Sequence, residues 1–398
     1  MNVVGIIAEF NPFHPGHAYL IRQAKELTGS DHAVIVMNGD FVQRGEPAVY
    51  HKYERTSAAL EGGADMVFEL PVRFGISSAG DFALGGTAAL TSLGFVTHLA
   101  FGSECGELRP LQTAADALWE ESPDFLQILS HDLQRGLSYP AARAHALTAA
   151  ASVDSALISQ PNNILGMEYC LALKKLSSPL IPITIRRRGM DHHDDGSGPD
   201  SLAAGQPGSR TDPSSRTDPG TAGYPSAAAL RRQICASALP HLTLDDFSCA
   251  LGYALLQEDD LTRYKDISPD LADRIRRYLP DYCTASGLAG QCRTRAFTDG
   301  RIRRALMQCL LHIENTDTRL PYLRLLGMKK GAGFLLSQVP GSCHILSRLA
   351  VDIKSLDPDA LALFRQDLFA ADLYRQTWNH RYSTALPNEY QHSPIIHS

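Results

Sequence analysis

The tetrapeptide His14-Pro15-Gly16-His17 constrains this 398-residue chain more than any other stretch. Ahead of it, Val3-Val4-Gly5-Ile6-Ile7 is an apolar run that reads as a short buried strand. Behind it, Ala18-Tyr19-Leu20-Ile21-Arg22-Gln23-Ala24 carries a helical pattern. Strand, glycine-containing turn and helix, in that order, form the phosphate-binding opening of a nucleotide-binding α/β domain. Two imidazoles beside the N–H groups of a helix start suit the α- and β-phosphates of a nucleoside triphosphate under attack. Gly16 leaves open the space that a side chain would deny to the nucleotide.

The same alternation continues downstream. His32-Ala33-Val34-Ile35-Val36-Met37 reads as a second strand, ending in the polar loop Asn38-Gly39-Asp40-Phe41-Val42-Gln43-Arg44-Gly45-Glu46-Pro47. A helix over 51–61 carries Lys52 and Arg55 on one face, and Gly62-Gly63 stops it. A third strand is expected over 64–71 and a helix over 81–92. A fourth strand, His98-Leu99-Ala100-Phe101, runs into Gly102-Ser103-Glu104. Strands alternating with helices predict a parallel sheet with its ligand at the carboxyl ends of the strands. The polar clusters at 9–17, 38–46 and 102–104 all fall there.

Residues 108–143 are expected to be helical, with Leu111, Ala114, Ala115, Leu118 and Trp119 in register. The turn Gln160-Pro161-Asn162-Asn163-Ile164-Leu165-Gly166 opens another helix. A fifth strand, Leu180-Ile181-Pro182-Ile183-Thr184-Ile185, ends in Arg186-Arg187-Arg188-Gly189. Residues 194–224 are rich in Ser, Gly, Pro, Asp and Thr, and Ser209-Arg210-Thr211-Asp212-Pro213 recurs as Ser215-Arg216-Thr217-Asp218-Pro219. Too little apolar area exists there to offset ordering, which predicts a disordered surface insertion. Ser226 is a good N-cap for the helix that follows. From 236 to 382 the pattern is helical, with arginine groups at 274–277 and 293–304 and Lys329-Lys330 beside aromatic residues. The tail after Tyr382 is expected to be loosely ordered. Two domains follow, a catalytic α/β domain over 1–235 and a helical domain over 236–398.

Composition excludes several classes. The net charge is −6, so a nucleic-acid partner would need a local basic patch. The eight cysteines include no CxxC pair, which argues against a zinc ribbon or a disulfide scaffold. No apolar run approaches the ~20 residues of a membrane span, and the N-terminus lacks a signal-peptide pattern. The expected location is the cytoplasm, without a membrane partner. Walker A is missing, because neither Lys329 nor Lys330 is followed by Ser or Thr. His192-His193-Asp194-Asp195 reads as the polar entry to the insertion, and no metal site is expected. Lys52, Arg55 and Arg187 are cationic candidates for the remaining phosphate oxygens.

An HxGH turn after a first strand is what nucleotidylyl transferases and class I aminoacyl-tRNA synthetases use to stabilise charge at the α-phosphorus. Ser226 with Arg231 is similar to the serine-then-arginine helix start that closes over the β- and γ-phosphates in nucleotidylyl transferases, although Ala227-Ala228-Ala229 depart from its centre. More specifically, Gly5-Ile6-Ile7-Ala8-Glu9-Phe10-Asn11-Pro12-Phe13-His14-Pro15-Gly16-His17 resembles the signature of the bacterial tRNA(Met) cytidine acetate ligases. The blocks at 39–47, 63–71, Phe101-Gly102-Ser103-Glu104 and Pro161-Asn162-Asn163-Ile164-Leu165-Gly166 follow in the same order. Weaker likeness extends through 226–231 and 322–333.

The resemblance implies a Rossmann-like α/β fold of the HxGH nucleotidyltransferase type, followed by a mainly α-helical domain that binds tRNA. It implies an ATP-dependent ligase that joins acetate to the wobble cytidine of elongator tRNA(Met) through acetyl-adenylate. The ATP site it implies is Ile7-Ala8-Glu9-Phe10-Asn11-Pro12-Phe13-His14-Pro15-Gly16-His17-Ala18-Tyr19-Leu20 with Gly102, Asn162 and Arg187. Arg187 precedes glycine by two, as in the family pattern; Arg186 and Arg188 are the alternatives in the same run. His14, His17 and Arg187 would be the catalytic residues, and Mg2+ would accompany ATP without a dedicated ligand. Two further readings are a nucleotidylyl transferase acting on a small molecule and a non-catalytic RNA-binding factor with a vestigial pocket. The large helical half argues against the first, and intact His14, Gly16 and His17 argue against the second.

Overall fold

The computed structural model describes residues 1–187, 226–316 and 319–398. Residues 194–224, the expected insertion, lie outside the described residues, as do His192-His193-Asp194-Asp195 and Arg188.

Five strands lie where the apolar runs place them: β1 (Val3–Ala8), β2 (His32–Asn38), β3 (Met66–Leu70), β4 (His98–Ser103) and β5 (Ile181–Arg186). They form a parallel sheet in the order β3-β2-β1-β4-β5. β1 is central, with Val4 paired to Ala33 on one side and His98 on the other. Being covered on both faces, such strands read as continuous apolar runs and not as alternating ones. Helices α1 (Pro15–Thr28) and α2 (Lys52–Glu61) cover one face. Helices α3 (Ala79–Ser92) and α4 (Pro161–Lys175) cover the other. A Cβ on Gly5 would fall 2.7 Å from Leu90 Cδ2, so glycine lets α3 lie close against β1.

The C-terminal half is mainly helical, as expected, but it also contributes strands that the sequence pattern did not indicate. Three of its segments join the sheet: β6 (Tyr322–Lys329), β7 (His344–Leu346) and β8 (Ile395–His397). β6 runs antiparallel to β3, setting Arg324 opposite Glu69, while β7 and β8 pair with β6 in parallel. Tyr322 through Leu326 are all buried, so alternation gave no sign of a strand. Helices of the C-terminal half, among them α6 (Asp299–Leu310) and α7 (Pro358–Tyr382), build a second core. Phe41, Val72 and Ile76 of the α/β half insert into that core, and Tyr374 donates to Ala48 O at 3.0 Å.

Two other expectations are corrected. The helical pattern over 108–143 breaks at Glu121, in the left-handed region at φ 43, and again near Gly136, at φ 79. Leu111, Ala114, Ala115 and Leu118 are buried, whereas Trp119 is exposed. The tail after Tyr382 is ordered: Glu389 is buried against Lys52 and Arg324, and β8 extends the sheet. Among the described residues, no helix is long and apolar enough to cross a membrane.

Candidate active site

The carboxyl ends of β1, β4 and β5 surround a cavity of about 420 Å³. Of the residues named from sequence, Ile7, Ala8, Glu9, Phe10, Asn11, His14, Gly16, His17, Tyr19, Leu20, Gly102, Asn162 and Arg187 line it. Ser226 and Arg231 line it as well. Pro12, Phe13, Pro15 and Ala18 belong to the same turn and helix start without lining the cavity; Phe13 packs edge-on against Phe10 at 4.9 Å.

His14 is the N-cap of α1 and Pro15 occupies its first turn, where a missing N–H costs nothing. His14 Nδ1 accepts from the Gly16 N–H at 3.1 Å, and His17 Nδ1 accepts from the His14 N–H at 3.3 Å. The rings stack at 3.7 Å between centroids. A ring nitrogen that accepts a backbone N–H must be unprotonated, so the proton of each neutral ring sits on Nε2. Burial, then Arg187 and Arg231, push the His14 pKa down to about 4. Burial, then His14 and Arg187, hold His17 well below the usual imidazole range. Near pH 7 the pair therefore presents two neutral N–H donors, an arrangement able to stabilise phosphate charge without losing a proton.

Around them, Arg44, Arg186, Arg187 and Arg231 line the cavity, with Glu9 the only carboxylate among the lining residues. Four positive charges less one leave a surplus of three. Arg44, Arg186 and Arg187 make no ion pair among the described residues. Arg231, on helix α5 (Ala227–Ala236), donates to Asn11 O at 2.7 Å and so ties that helix to the opening turn. Ser226 Oγ caps α5 by accepting from Ala229 N at 3.2 Å. Arg44, Arg186 and Arg187 are exposed, so their charges are hydrated and free to meet a polyanion through charge-assisted hydrogen bonds.

Gly102 and Asn162 come together through a reciprocal clamp. Glu104 accepts from Asn162 Nδ2 at 2.5 Å and from Asn163 N at 2.9 Å, capping α4. In return Asn163 Oδ1 accepts from Glu104 N at 3.0 Å and Cys105 N at 3.1 Å. The two sequence blocks 101–104 and 161–166 are thus one piece of structure. Arg187 Cγ lies 3.4 Å from where a Cβ on Gly102 would be, so glycine and arginine share one wall.

Lys52 and Arg55 prove to be structural. Lys52 Nζ lies 2.8 Å from Glu69 and 3.0 Å from Glu389, completely buried. Arg55 donates to Glu9 O at 2.7 Å, Asn38 O at 3.1 Å and Tyr50 O at 3.0 Å, lashing the ends of β1 and β2 together. Asp40, His51 and Glu389 offer ligand atoms within 4.8 Å of one another, but Glu389 is already spent on Lys52 and Arg324. Sequence reasoning gave no role to Gln43, Arg44, Phe82 or Tyr169, which also line the cavity. The polarity of the loop after β2 was the signal for the first two.

Comparison with known proteins agrees with this geometry. The family described as HIGH Nucleotidyl Transferase matches residues 1–388. The tRNA(Met) cytidine acetate ligase of Acetivibrio thermocellus is 33% identical over 94% of each chain. That of Fervidobacterium nodosum is 32% identical over 99% of each. The solved structure of Thermotoga maritima TmcAL bound with alpha-thio ATP superposes with a TM-score of 0.82 at 26% identity, covering 100% of this chain and 99% of that one. With its sheet order, its paired histidines and its full-length relatives in accord, this chain belongs to the HIGH nucleotidyl transferases, within the tRNA(Met) cytidine acetate ligases.

Proposed function

We propose that the protein uses ATP to join acetate to the wobble cytidine of elongator tRNA(Met), giving N(4)-acetylcytidine. The observation that carries this reading is the cavity itself: two neutral imidazole N–H donors and a surplus of arginine at the mouth of a parallel sheet. Acetate is a poor acyl donor and must first be activated. One carboxylate oxygen bonds to the α-phosphorus, and the bond from that phosphorus to the bridging oxygen breaks with its electron pair. Pyrophosphate leaves and acetyl-adenylate remains. His14 and His17 donate to the phosphate oxygens as charge builds, and Arg187 and Arg231 hold the departing pyrophosphate. Mg2+ would enter bound to the triphosphate and share its charge.

The cytidine amino nitrogen then attacks the acyl carbon, AMP leaves, and the nitrogen gives up a proton. Its lone pair is delocalised into the ring, so positioning contributes more than a strong base. We assign that positioning to the helical half, residues 236–398. Several arginines expected to meet RNA there are engaged within the chain: Arg304 with Asp266 at 3.0 Å, Arg303 with Asp299 at 2.7 Å, and Arg274 with Cys292 O at 3.0 Å. Contact with RNA phosphates therefore falls to residues outside those pairs.

Incubation with ATP, labelled acetate and tRNA(Met) is expected to place label in the RNA and release AMP. AMP released with some other acid and no label in tRNA would refute the substrate. Neither product would leave only a binding factor. His14→Ala should abolish adenylate formation and leave tRNA binding intact.

A further inference from the structure

The activation step gives work to the histidines and to Arg187 and Arg231, but one wall of the cavity is left without a task. It is formed by the turn after β2, which carries Gln43 and Arg44. Because the strand order runs β2-β1-β4-β5, this turn stands on the opposite flank from Arg186 and Arg187. Arg44 is exposed, lines the cavity and makes no ion pair among the described residues. Two further lining residues carry amide groups with unused donors. Gln43 Nε2 is sheltered from water and has no acceptor among the described residues. Asn11 Oδ1 accepts from Val49 N at 2.8 Å, and Asn11 Nδ2 likewise has no acceptor. Orphaned donors of this kind are uncommon in folded chains, and an acceptor that reached them would relieve the cost of leaving them unpaired.

The turn is braced. Gly45 has φ +75, and a Cβ there would fall 2.4 Å from Arg304 N, so α6 packs directly on its backbone. Arg303 of α6 pairs with Glu46, and the Gln43 N–H donates to Glu9 Oε1 at 2.8 Å. The bracing fixes the backbone that carries Gln43 and Arg44, and Val49 N fixes the Asn11 amide; a cation with two amide donors suits a small carboxylate, which is acceptor-only and takes several N–H groups at once. Phe82 lines the cavity too and offers an apolar surface for a methyl group.

We infer that Arg44, Gln43 and Asn11 hold the carboxylate of the acid that is activated, leaving Arg187 and Arg231 to the triphosphate. This inference rests on the acetate ligase reading and deepens it. The bound carboxylate supplies the oxygen that bonds to the α-phosphorus; no proton is transferred in that step.

The test is exchange of labelled pyrophosphate into ATP driven by acetate, run with and without tRNA(Met), on the full chain. Gln43→Leu and Arg44→Gln are each expected to raise the KM for acetate at least tenfold and to keep the KM for ATP within twofold. Arg44→Lys should recover part of the loss. An unchanged acetate KM, or a rise in the ATP KM instead, would overturn the assignment. So would an Arg44→Gln protein that exchanges normally but fails to acetylate tRNA, which would put Arg44 on the RNA. Absence of acetate-driven exchange in the unaltered protein would sink the ligase reading itself, an outcome separable from failure of the subsite.

Discussion

Behind β3, Lys52 and Arg324 face Glu69, Glu389 and Asp40; at the ends of β1, β4 and β5, Arg44, Arg186, Arg187 and Arg231 face Glu9 alone. In the first region every cation has a carboxylate at ion-pair distance. Burial by itself would lower the Lys52 pKa, but Glu389 and Glu69 outweigh it and raise it. Burial by itself would raise Glu389, but Lys52 and Arg324 outweigh it and hold that carboxyl well below its usual range. In the second region charge of one sign accumulates around a hollow. Buried charge that is matched within the chain fastens elements together, here the sheet to the C-terminal tail. Charge left unmatched at the carboxyl ends of a parallel sheet waits for a ligand.

Substitution at the matched region should produce the largest change. Lys52→Met leaves two buried carboxylates with only Arg324, and is expected to cost about 3–5 kcal/mol in urea unfolding. A cost below about 1 kcal/mol would mean that the pairing there holds little. Arg187→Gln should do the reverse. Adenylate formation is expected to fall about 10²-fold, roughly 3 kcal/mol of transition-state stabilisation, with the unfolding midpoint unchanged or higher. A large loss of stability in that variant would erase the distinction between the two regions.

The smallest effect is a pH dependence. His14 has a folded pKa near 4 against an ordinary value of 6.5. Between those values the unfolded chain binds more protons than the folded one, so stability is full above about pH 6.5 and declines as pH falls toward 4. Comparing thermal unfolding from pH 7.5 to 4.5, His14→Gln should flatten part of that decline. A decline identical in both proteins would show that His14 titrates normally. Glu389, in the matched region, acts only below its ordinary value of 4.5, so the two regions separate on the pH axis.

The α/β half was legible because short apolar runs can be buried strands only when punctuated by Gly, Pro and polar turns, as β1 through β5 are. Gly102 and Arg187, at strand ends, and Asn162, at a helix start, were named through their likeness to a family pattern, and the structure sets all three around one cavity. Lys52 and Arg55 misled for a physical reason. A cation on a helix face looks the same in sequence whether it meets phosphate, carboxylates such as the Glu69 and Glu389 that Lys52 meets, or backbone carbonyls such as those that Arg55 meets, and Glu389 is hundreds of residues away. β6 was hidden because Tyr322–Leu326 is buried throughout, and its charged residue pairs across the sheet with Glu69. Gln43 and Arg44 were visible as polar residues, but only the bracing of their turn by α6 gives them a direction.

One consequence of the Glu104 clamp concerns which way round a nucleotide lies. Its carboxylate occupies the N–H groups at the start of α4 and leaves a fixed negative group beside Gly102 and Asn162. That helix start is therefore satisfied from within the chain before any ligand arrives. The start of α1 is capped by a neutral imidazole and has no acidic residue in its first turn. Of these two helix starts, α1 keeps a positive end that no carboxylate neutralises, and an anion is drawn to that end of the cavity.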